Sequence, residues 1–126
     1  MVDTRKVRWL EDAEDKDYAA AESHLSLLVP PSDLADLIAR LRKAPYGQWR
    51  AKDILRASRL SLLDPKQSEE VAGKLAKVAA KEPLSPILIV VLRPDVRAQI
   101  ADGYHRTCAA FLTHEDALVP GRILFA

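Results

Sequence analysis

Apolar side chains recur at helical spacing through most of the chain, and this pattern predicts a series of amphipathic helices. The first helix, over 15–28, has four apolar residues on one face, which are Tyr18, Ala21, Leu25 and Leu28. The second has an i, i+3, i+4, i+7 stripe, which consists of Leu34, Leu37, Ile38 and Leu41. Pro30 and Pro31 separate the two helices, and Ser32 is the predicted N-cap of the second. Pro45 marks the end of the second helix.

Two more helical segments are predicted in the middle of the chain. A short strand over 46–50 precedes a short helix over 52–58. The dipeptide Asp64-Pro65 predicts the start of the next helix, because proline is favoured at the first helical position. The apolar stripe of that helix consists of Val71, Leu75 and Val78, and Pro83 and Pro86 end it.

The last third of the chain changes to the pattern of β-strands. Residues 87–92 form an unbroken apolar run typical of a buried strand, and a turn at 93–95 leads to a returning strand over 97–101. A helix over 103–113 and a final strand over 119–125 follow. We therefore expect a single α+β domain with a small mixed sheet covered by helices. Residues 1–45 would form a helical extension to a core of residues 46–126.

The junction between the returning strand and the last predicted helix carries the most informative polar residues, Asp102-Gly103-Tyr104-His105-Arg106. The first turn of a helix has backbone N–H groups without intrahelical partners and the positive end of the helix dipole. An imidazole and a guanidinium placed there favour a phosphate ligand. In the alternative interpretation Asp102 caps the helix, Gly103 permits a tight turn, and His105 and Arg106 are surface groups.

Helical spacing divides the residues of this segment between two faces. Tyr104, Cys108 and Phe111 share one face, which we expect to point into the core. Asp102 and Arg106 are four residues apart and can meet on another side. Cys108 is expected to be a buried, inert residue. Tyr104 is either a core aromatic residue or the wall of a nucleotide pocket.

The segment also resembles the signature of the ParB/sulfiredoxin superfamily. The resemblance rests on Gly103-Tyr104-His105-Arg106, on Ala109-Ala110, on the apolar strand over 86–91 and on the Val-Pro-Gly-Arg-Ile-Leu segment over 119–124. Asp102-Gly103-x-His105-Arg106 is most similar to the free-serine kinases of this superfamily. The similarity extends loosely from Trp49 to Ile123, and its specific part begins at Pro86.

The resemblance implies that Gly103, Tyr104, His105 and Arg106 bind the phosphates of ATP, ADP or CTP. It also implies a catalytic role for Asp102 and His105. If phosphate binds, we expect Mg²⁺ to accompany it, and Asp102 is the candidate ligand. Sulfiredoxins have their catalytic cysteine where this chain has Tyr104, so sulfinic-acid reduction is not expected. The lysine and hydroxyl residues that hold phosphate in sulfiredoxins align with Glu69, Ala72 and Ala76, and Lys74 and Lys77 are nearby.

A second carboxylate for Mg²⁺ would have to come from elsewhere in the chain, since this ion is commonly held by one or two carboxylates together with substrate phosphates. Four aspartates are candidates, namely Asp12, Asp17, Asp53 and Asp64. The three histidines lie in separate elements without the spacing of a zinc site.

Composition agrees with a globular domain: of 126 residues, 48% are hydrophobic and 29% are charged. No apolar run is long enough to span a bilayer, and we expect no membrane association. The charges at Asp3, Arg5 and Lys6 interrupt any signal-peptide core. With one cysteine and no disulfide framework, the expected compartment is the cytoplasm.

The net charge of +1 conceals a basic segment over residues 40–59. Its basic residues are Arg40, Arg42, Lys43, Arg50, Lys52, Arg56 and Arg59, and Asp53 is its one acidic residue. Tyr46 and Trp49 are interleaved, a combination that can bind a nucleic acid through phosphates and stacked bases. The other interpretation is that these charges cover the solvated faces of two helices, with Trp49 in the core.

Three functional hypotheses follow. The first is a nucleotide phosphate-binding protein that acts as a phosphotransferase or NTPase on a small molecule, with Mg²⁺ as cofactor. The second is a non-catalytic, nucleotide-switched module that binds DNA or regulates a partner, with the N-terminal helices as a candidate homodimer interface. The third is a scaffold that retains the fold without binding a nucleotide.

Overall fold

The computed structural model describes residues 7–126, so Asp3, Arg5 and Lys6 lie outside the described residues. The described part forms five helices and four strands. In chain order these are α1 (Asp15–Leu25), α2 (Pro31–Lys43), β1 (Tyr46–Arg50), α3 (Ala51–Ser58), α4 (Glu69–Ala79), β2 (Ile87–Val91), β3 (Gln99–Asp102), α5 (Tyr104–Thr113) and β4 (Leu118–Phe125).

The four strands form one mixed sheet with the order β1-β4-β2-β3. β2 pairs with β4 in parallel and with β3 antiparallel, and β1 pairs with β4 antiparallel. The register between β2 and β3 shifts after Leu88, because Leu88 pairs with Asp102 whereas Ile89 pairs with Ile100. Ala101 is thus the extra residue of a bulge, directly before Asp102. The predicted α+β class with a small mixed sheet is confirmed.

β2 lies between two helical layers, which explains its unbroken apolar sequence. Leu88 and Val90 point toward α1 and α2, where they join a core cluster whose helical members are Tyr18, Ala21, Leu25, Leu37, Ile38 and Leu41. Ile87 and Ile89 point to the other face, toward α3 and α5. Each fully buried leucine or isoleucine contributes roughly 1.5–3 kcal/mol to folding. The N-terminal helices therefore cover one complete face of the sheet.

A third cluster joins α4 to the rest of the molecule. Leu55 of α3, Val71 of α4 and Cys108 of α5 form its buried centre, and Tyr104 and Phe111 pack against it. The predicted shared core face of Tyr104, Cys108 and Phe111 is thus confirmed. This contact holds the outer helix α4 against the N-terminal turn of α5.

Two predicted helix starts are wrong, and each has a local reason. α2 begins with Pro31 at its first position, and Ser32 makes no cap. α4 begins after Ser68, whose hydroxyl accepts a hydrogen bond from the Val71 backbone N–H at 3.2 Å. Asp64-Pro65 instead opens a separate turn, since the Asp64 carboxylate accepts backbone hydrogen bonds at 2.8 and 3.0 Å.

α1 also ends earlier than its apolar pattern predicts, at Leu25. Leu28 lies in the turn that follows and is 45% exposed. None of the helices within residues 7–126 is both long enough and apolar enough to cross a membrane.

Gly103 is a position where the fold requires glycine. Its φ is +115°, and an added Cβ would overlap the side chain of Ile87, with 2.7 Å to the Ile87 Cβ. We expect Gly103→Ala to lower the free energy of unfolding by about 2–4 kcal/mol, from backbone strain and overpacking together. Urea denaturation measures the change.

Gly73 provides the matched control, because it lies within α4 and an added Cβ would meet no atom within 4 Å. Gly73→Ala should raise the free energy of unfolding by about 0.5–1 kcal/mol. Equal effects of the two substitutions would contradict the assigned role of Gly103.

Candidate functional site

The Asp102–Arg106 segment forms the turn that joins β3 to α5. Gly103 is the N-cap residue of α5, and its carbonyl accepts hydrogen bonds from the Thr107 backbone N–H at 3.0 Å and the Thr107 hydroxyl at 2.9 Å. Asp102 is therefore the last strand residue rather than the helix cap. The positive φ of Gly103 turns the chain so that the free N–H groups of the first turn of α5 follow Asp102 directly.

Arg106 is buried beneath this turn, with a side chain only 9% exposed. Its Nη2 donates to Asp102 Oδ2 at 2.7 Å and to the Pro86 carbonyl oxygen at 3.2 Å. Its Nη1 lies 3.8 Å from Oδ1 of Asp17. Among the buried side-chain polar atoms that the structure describes, Nε of Arg106 alone has no hydrogen-bond partner. The expected meeting of Asp102 and Arg106 is present, and the guanidinium is a buried group shared by two carboxylates.

Asp17 reaches Arg106 from the first turn of α1. The other oxygen of its carboxylate accepts the Glu14 backbone N–H at 2.8 Å as part of a capping box, so the helix start fixes the position of the carboxylate. Of the four candidates for a second carboxylate, Asp17 is the one that contacts Arg106. Asp12 lies near Arg122 and Asp53 lies near Arg56. The Asp64 carboxylate accepts a hydrogen bond from the Lys66 backbone N–H.

The pKa of Asp102 is raised above its ordinary value. The main cause is burial, and the negative charge of Asp17 acts in the same direction, while the Arg106 guanidinium opposes both. The two carboxylates thus share one positive charge at close range, which favours retention of a proton on the Asp102 side chain.

Lys74 of α4 is the basic residue nearest in packing to this turn, and further lysines of α1 and α4 act on it. Burial lowers the pKa of the half-buried Lys74, and the charges of Lys77, Arg106 and Lys16 lower it further. Lys74 lies on α4 between Val71 and Leu75, and these two residues pack with Tyr104 and Cys108 of α5, so Lys74 lies near the N-terminal half of α5. α4 therefore brings Lys74 to this turn, and the superfamily resemblance had named Lys74 only as a neighbour of the aligned phosphate-binding positions.

His105 and Tyr104 differ in their surroundings. The rings of the two residues lie 5.4 Å apart. Tyr104 is half-buried, packs against the third core cluster and donates its hydroxyl to the Ser61 carbonyl, contacts that favour the first of its two predicted roles. His105 is half-buried. Cys108 is completely buried, as expected, and burial raises its pKa.

The basic segment over 40–59 is divided by the sheet. Its α2 residues lie on one face with the cluster of Leu88 and Val90, and its α3 residues lie on the other face. Four of its predicted nucleic-acid contacts have acidic neighbours, since Arg42 pairs with Asp15, Arg50 and Lys52 pair with Asp116, and Arg56 pairs with Asp53. Arg40 and Lys43 are exposed on α2, and Trp49 packs against the core. The segment does not form one continuous basic surface.

Comparison with protein-family models finds no match for this chain, and comparisons with curated proteins and with solved structures find no significant match.

The raised pKa of Asp102 predicts a specific pH dependence of stability. A folded-state pKa above the unfolded value means that the native protein retains a proton that the unfolded chain releases. The stabilisation is complete below the unfolded pKa and is lost as the pH rises through the folded pKa. The free energy of unfolding of the wild type, minus that of Asp102→Asn, should therefore decrease with rising pH.

Urea denaturation across the acid and neutral range measures this difference. Asp12→Asn is the control, because the Asp12 side chain is 75% exposed. We expect the difference in free energy of unfolding between the wild type and Asp12→Asn to change little with pH. A difference for Asp102→Asn that increases with pH would contradict the assignment.

Proposed function

We propose that this protein binds the phosphate groups of a nucleotide, ATP, ADP or CTP, at the N-terminus of α5. The observation that carries the proposal is the packing of α4 on α5, through Val71 and Leu75 against Tyr104, which brings the half-buried Lys74 near the first turn of α5 with its free N–H groups. No carboxylate of residues 7–126 forms an ion pair with Lys74. A phosphate would supply the missing negative charge and accept hydrogen bonds from both groups.

Further groups around the turn support the same ligand. Lys16 and Lys77 act on Lys74 with their charges, and His105 is the second residue of α5. These cations and the helix dipole produce a positive potential that a polyphosphate can neutralise at several points. The backbone of Gly103 and Tyr104 adds N–H groups, while the Tyr104 ring contributes to the core rather than to the ligand.

Arg106 has a different role in this proposal from the one that the superfamily resemblance implies. Its guanidinium is engaged by Asp102, Asp17 and the Pro86 carbonyl, so direct phosphate binding would break a buried ion pair. We assign Arg106 as a positioning residue that holds the two carboxylates beside the phosphate-binding turn.

A resident Mg²⁺ does not fit these residues. Both carboxylates are directed at Arg106, and the second oxygen of Asp17 is occupied by the Glu14 N–H. Within residues 7–126 no group of three or more histidine, cysteine or acidic side chains is placed to hold a metal ion. Phosphate binding in this proposal therefore relies on the cations of the chain.

Phosphoryl transfer is the catalytic extension of the proposal. Asp102 would accept the proton of an acceptor hydroxyl as the hydroxyl oxygen bonds to the γ-phosphorus and the bond to the β-phosphate oxygen breaks. Lys74 and His105 would neutralise the charge on the transferred group. The raised pKa of Asp102 makes its carboxylate form a stronger base, and the step requires a pH at which that form is populated.

Calorimetric titration of ATP, ADP, CTP and GTP, each with and without Mg²⁺, tests the binding proposal. We expect Lys74→Gln to lower the affinity for the nucleotide by roughly 10- to 100-fold, because one charge-assisted hydrogen bond is lost. Lys43→Gln is the control, because Lys43 is exposed at the end of α2, and we expect it to leave affinity unchanged.

Binding of none of the four nucleotides, or binding that Lys74→Gln does not weaken, would exclude the proposed site. Where a nucleotide binds, release of ADP in the presence of small hydroxyl compounds, beginning with serine, decides the catalytic extension. Nucleotide binding without turnover would assign the chain to the class of non-catalytic nucleotide-binding modules.

A further inference from the structure

A second site is indicated by a groove at the opposite end of the sheet from the turn described above. The groove has a volume of about 800 Å³ and lies where β2 ends and the chain turns toward β3. Pro86, which contacts Arg106, precedes β2, whereas Leu92 and Arg93 of the groove follow it. A five-residue strand separates the two places by roughly 16 Å. The groove is thus independent of the proposed nucleotide site.

Three arginines, Arg59, Arg93 and Arg97, line this groove. All three are exposed, and within residues 7–126 none has a carboxylate within 4.0 Å of its guanidinium. Asp95 also lines the groove and is its one acidic residue. The groove therefore carries an excess of two positive charges, on the side chain best suited to bidentate binding of carboxylates and phosphates.

Arg59 occupies a backbone conformation that an arginine rarely adopts. It follows the last residue of α3 with φ +56° and ψ +34°, in the left-handed region where helix ends favour glycine. The Leu60 N–H bonds back to the Leu55 carbonyl at 3.2 Å and completes the helix-ending turn. An arginine at this position weakens the fold relative to glycine, and the turn directs its side chain to line the groove.

The other lining residues are mainly apolar. Leu28 and Val29 enter from the turn after α1, and Leu92 and Val96 from the β2–β3 connection. Leu28 is 45% exposed, and its neighbour Leu27 is 87% exposed. Val29, Leu92 and Val96 are half-buried, and together with Leu28 they form an apolar surface beside the unpaired guanidinium groups. Such a surface suits a ligand with an apolar part as well as an anionic group.

We propose that this groove binds a small organic anion in which a phosphate or carboxylate is joined to an apolar body. The three arginines bind the anionic group, and the apolar surface of Leu28, Val29, Leu92 and Val96 covers the body. Asp95 at the same groove limits the total negative charge that the site accepts, which favours a compact anion over a polyanion.

Titration of the protein with phenyl phosphate, phenylacetate and inorganic phosphate, followed by amide chemical shifts in NMR spectra, tests this proposal. We expect one of the two aromatic anions to bind more tightly than inorganic phosphate and to shift resonances of residues 28–29, 59 and 92–99. The stronger of the two identifies the anionic group. Shifts confined to residues 102–106 would instead report the proposed nucleotide site.

Arg59→Gly separates binding from folding, because glycine is favoured at this backbone conformation. The variant should unfold at a higher urea concentration than the wild type, yet bind the aromatic anion at least about tenfold more weakly. Loss of binding then cannot come from loss of structure.

Lys81→Gly is the matched control, since Lys81 follows α4 with φ +61°. The Glu82 N–H bonds back to the Lys77 carbonyl there, as the Leu60 N–H bonds back to the Leu55 carbonyl after α3. Lys81→Gly should also raise the urea midpoint, but it should leave the affinity for the aromatic anion unchanged. Equal affinities of the wild type and Arg59→Gly, or absence of shifts around the groove with both aromatic anions at millimolar concentration, would overturn the proposal.

Discussion

The buried guanidinium of Arg106 is the interaction on which the arrangement of this fold depends. It joins four separate parts of the chain: its own helix α5, Asp102 at the end of β3, the Pro86 carbonyl before β2, and Asp17 at the start of α1. A buried charge without partners is expensive, and removing one member of such a pair costs about 3–5 kcal/mol. The position of α1 against the sheet is therefore linked to the chemistry of the turn before α5.

This constraint also determines which groups remain available for a ligand. Because Arg106 is committed to two carboxylates, the cations that face the start of α5 come from α1 and α4, with Lys74 the most buried of them. Gly103 contributes in a different way, since its positive φ is compatible with the close approach of Ile87 and brings the free N–H groups of α5 next to Asp102. The Asp102–Arg106 turn is thus held in place by packing against Ile87 and by the ion pair of Asp102 with Arg106. The arginines at the far end of β2 are under no such constraint, and they lack acidic partners among the described residues.

Most elements of the fold were predictable from local patterns. The stripe of Leu34, Leu37 and Leu41 predicted α2, and the apolar run after Pro86 predicted the buried strand β2 between two helical layers. The helix starts at Ser32 and Asp64 were predicted wrongly. In both cases a neighbouring residue began the helix instead, since Pro31 occupies the first position of α2 and Ser68 is the N-cap of α4. The end of α1 was misplaced because Leu28 fits the helical spacing but faces a groove.

The sequence alone determined the α+β class, the order of the helices and strands, and the pairing of Asp102 with Arg106, because these depend on residues close together in the chain. Only the tertiary structure selected Asp17 among four aspartates, brought Lys74 to the start of α5, and divided the basic segment between two faces of the sheet. Those relations join residues up to 89 positions apart, as from Asp17 to Arg106. Local spacing carries no information about such distances, since they are set by how the helices pack on the sheet.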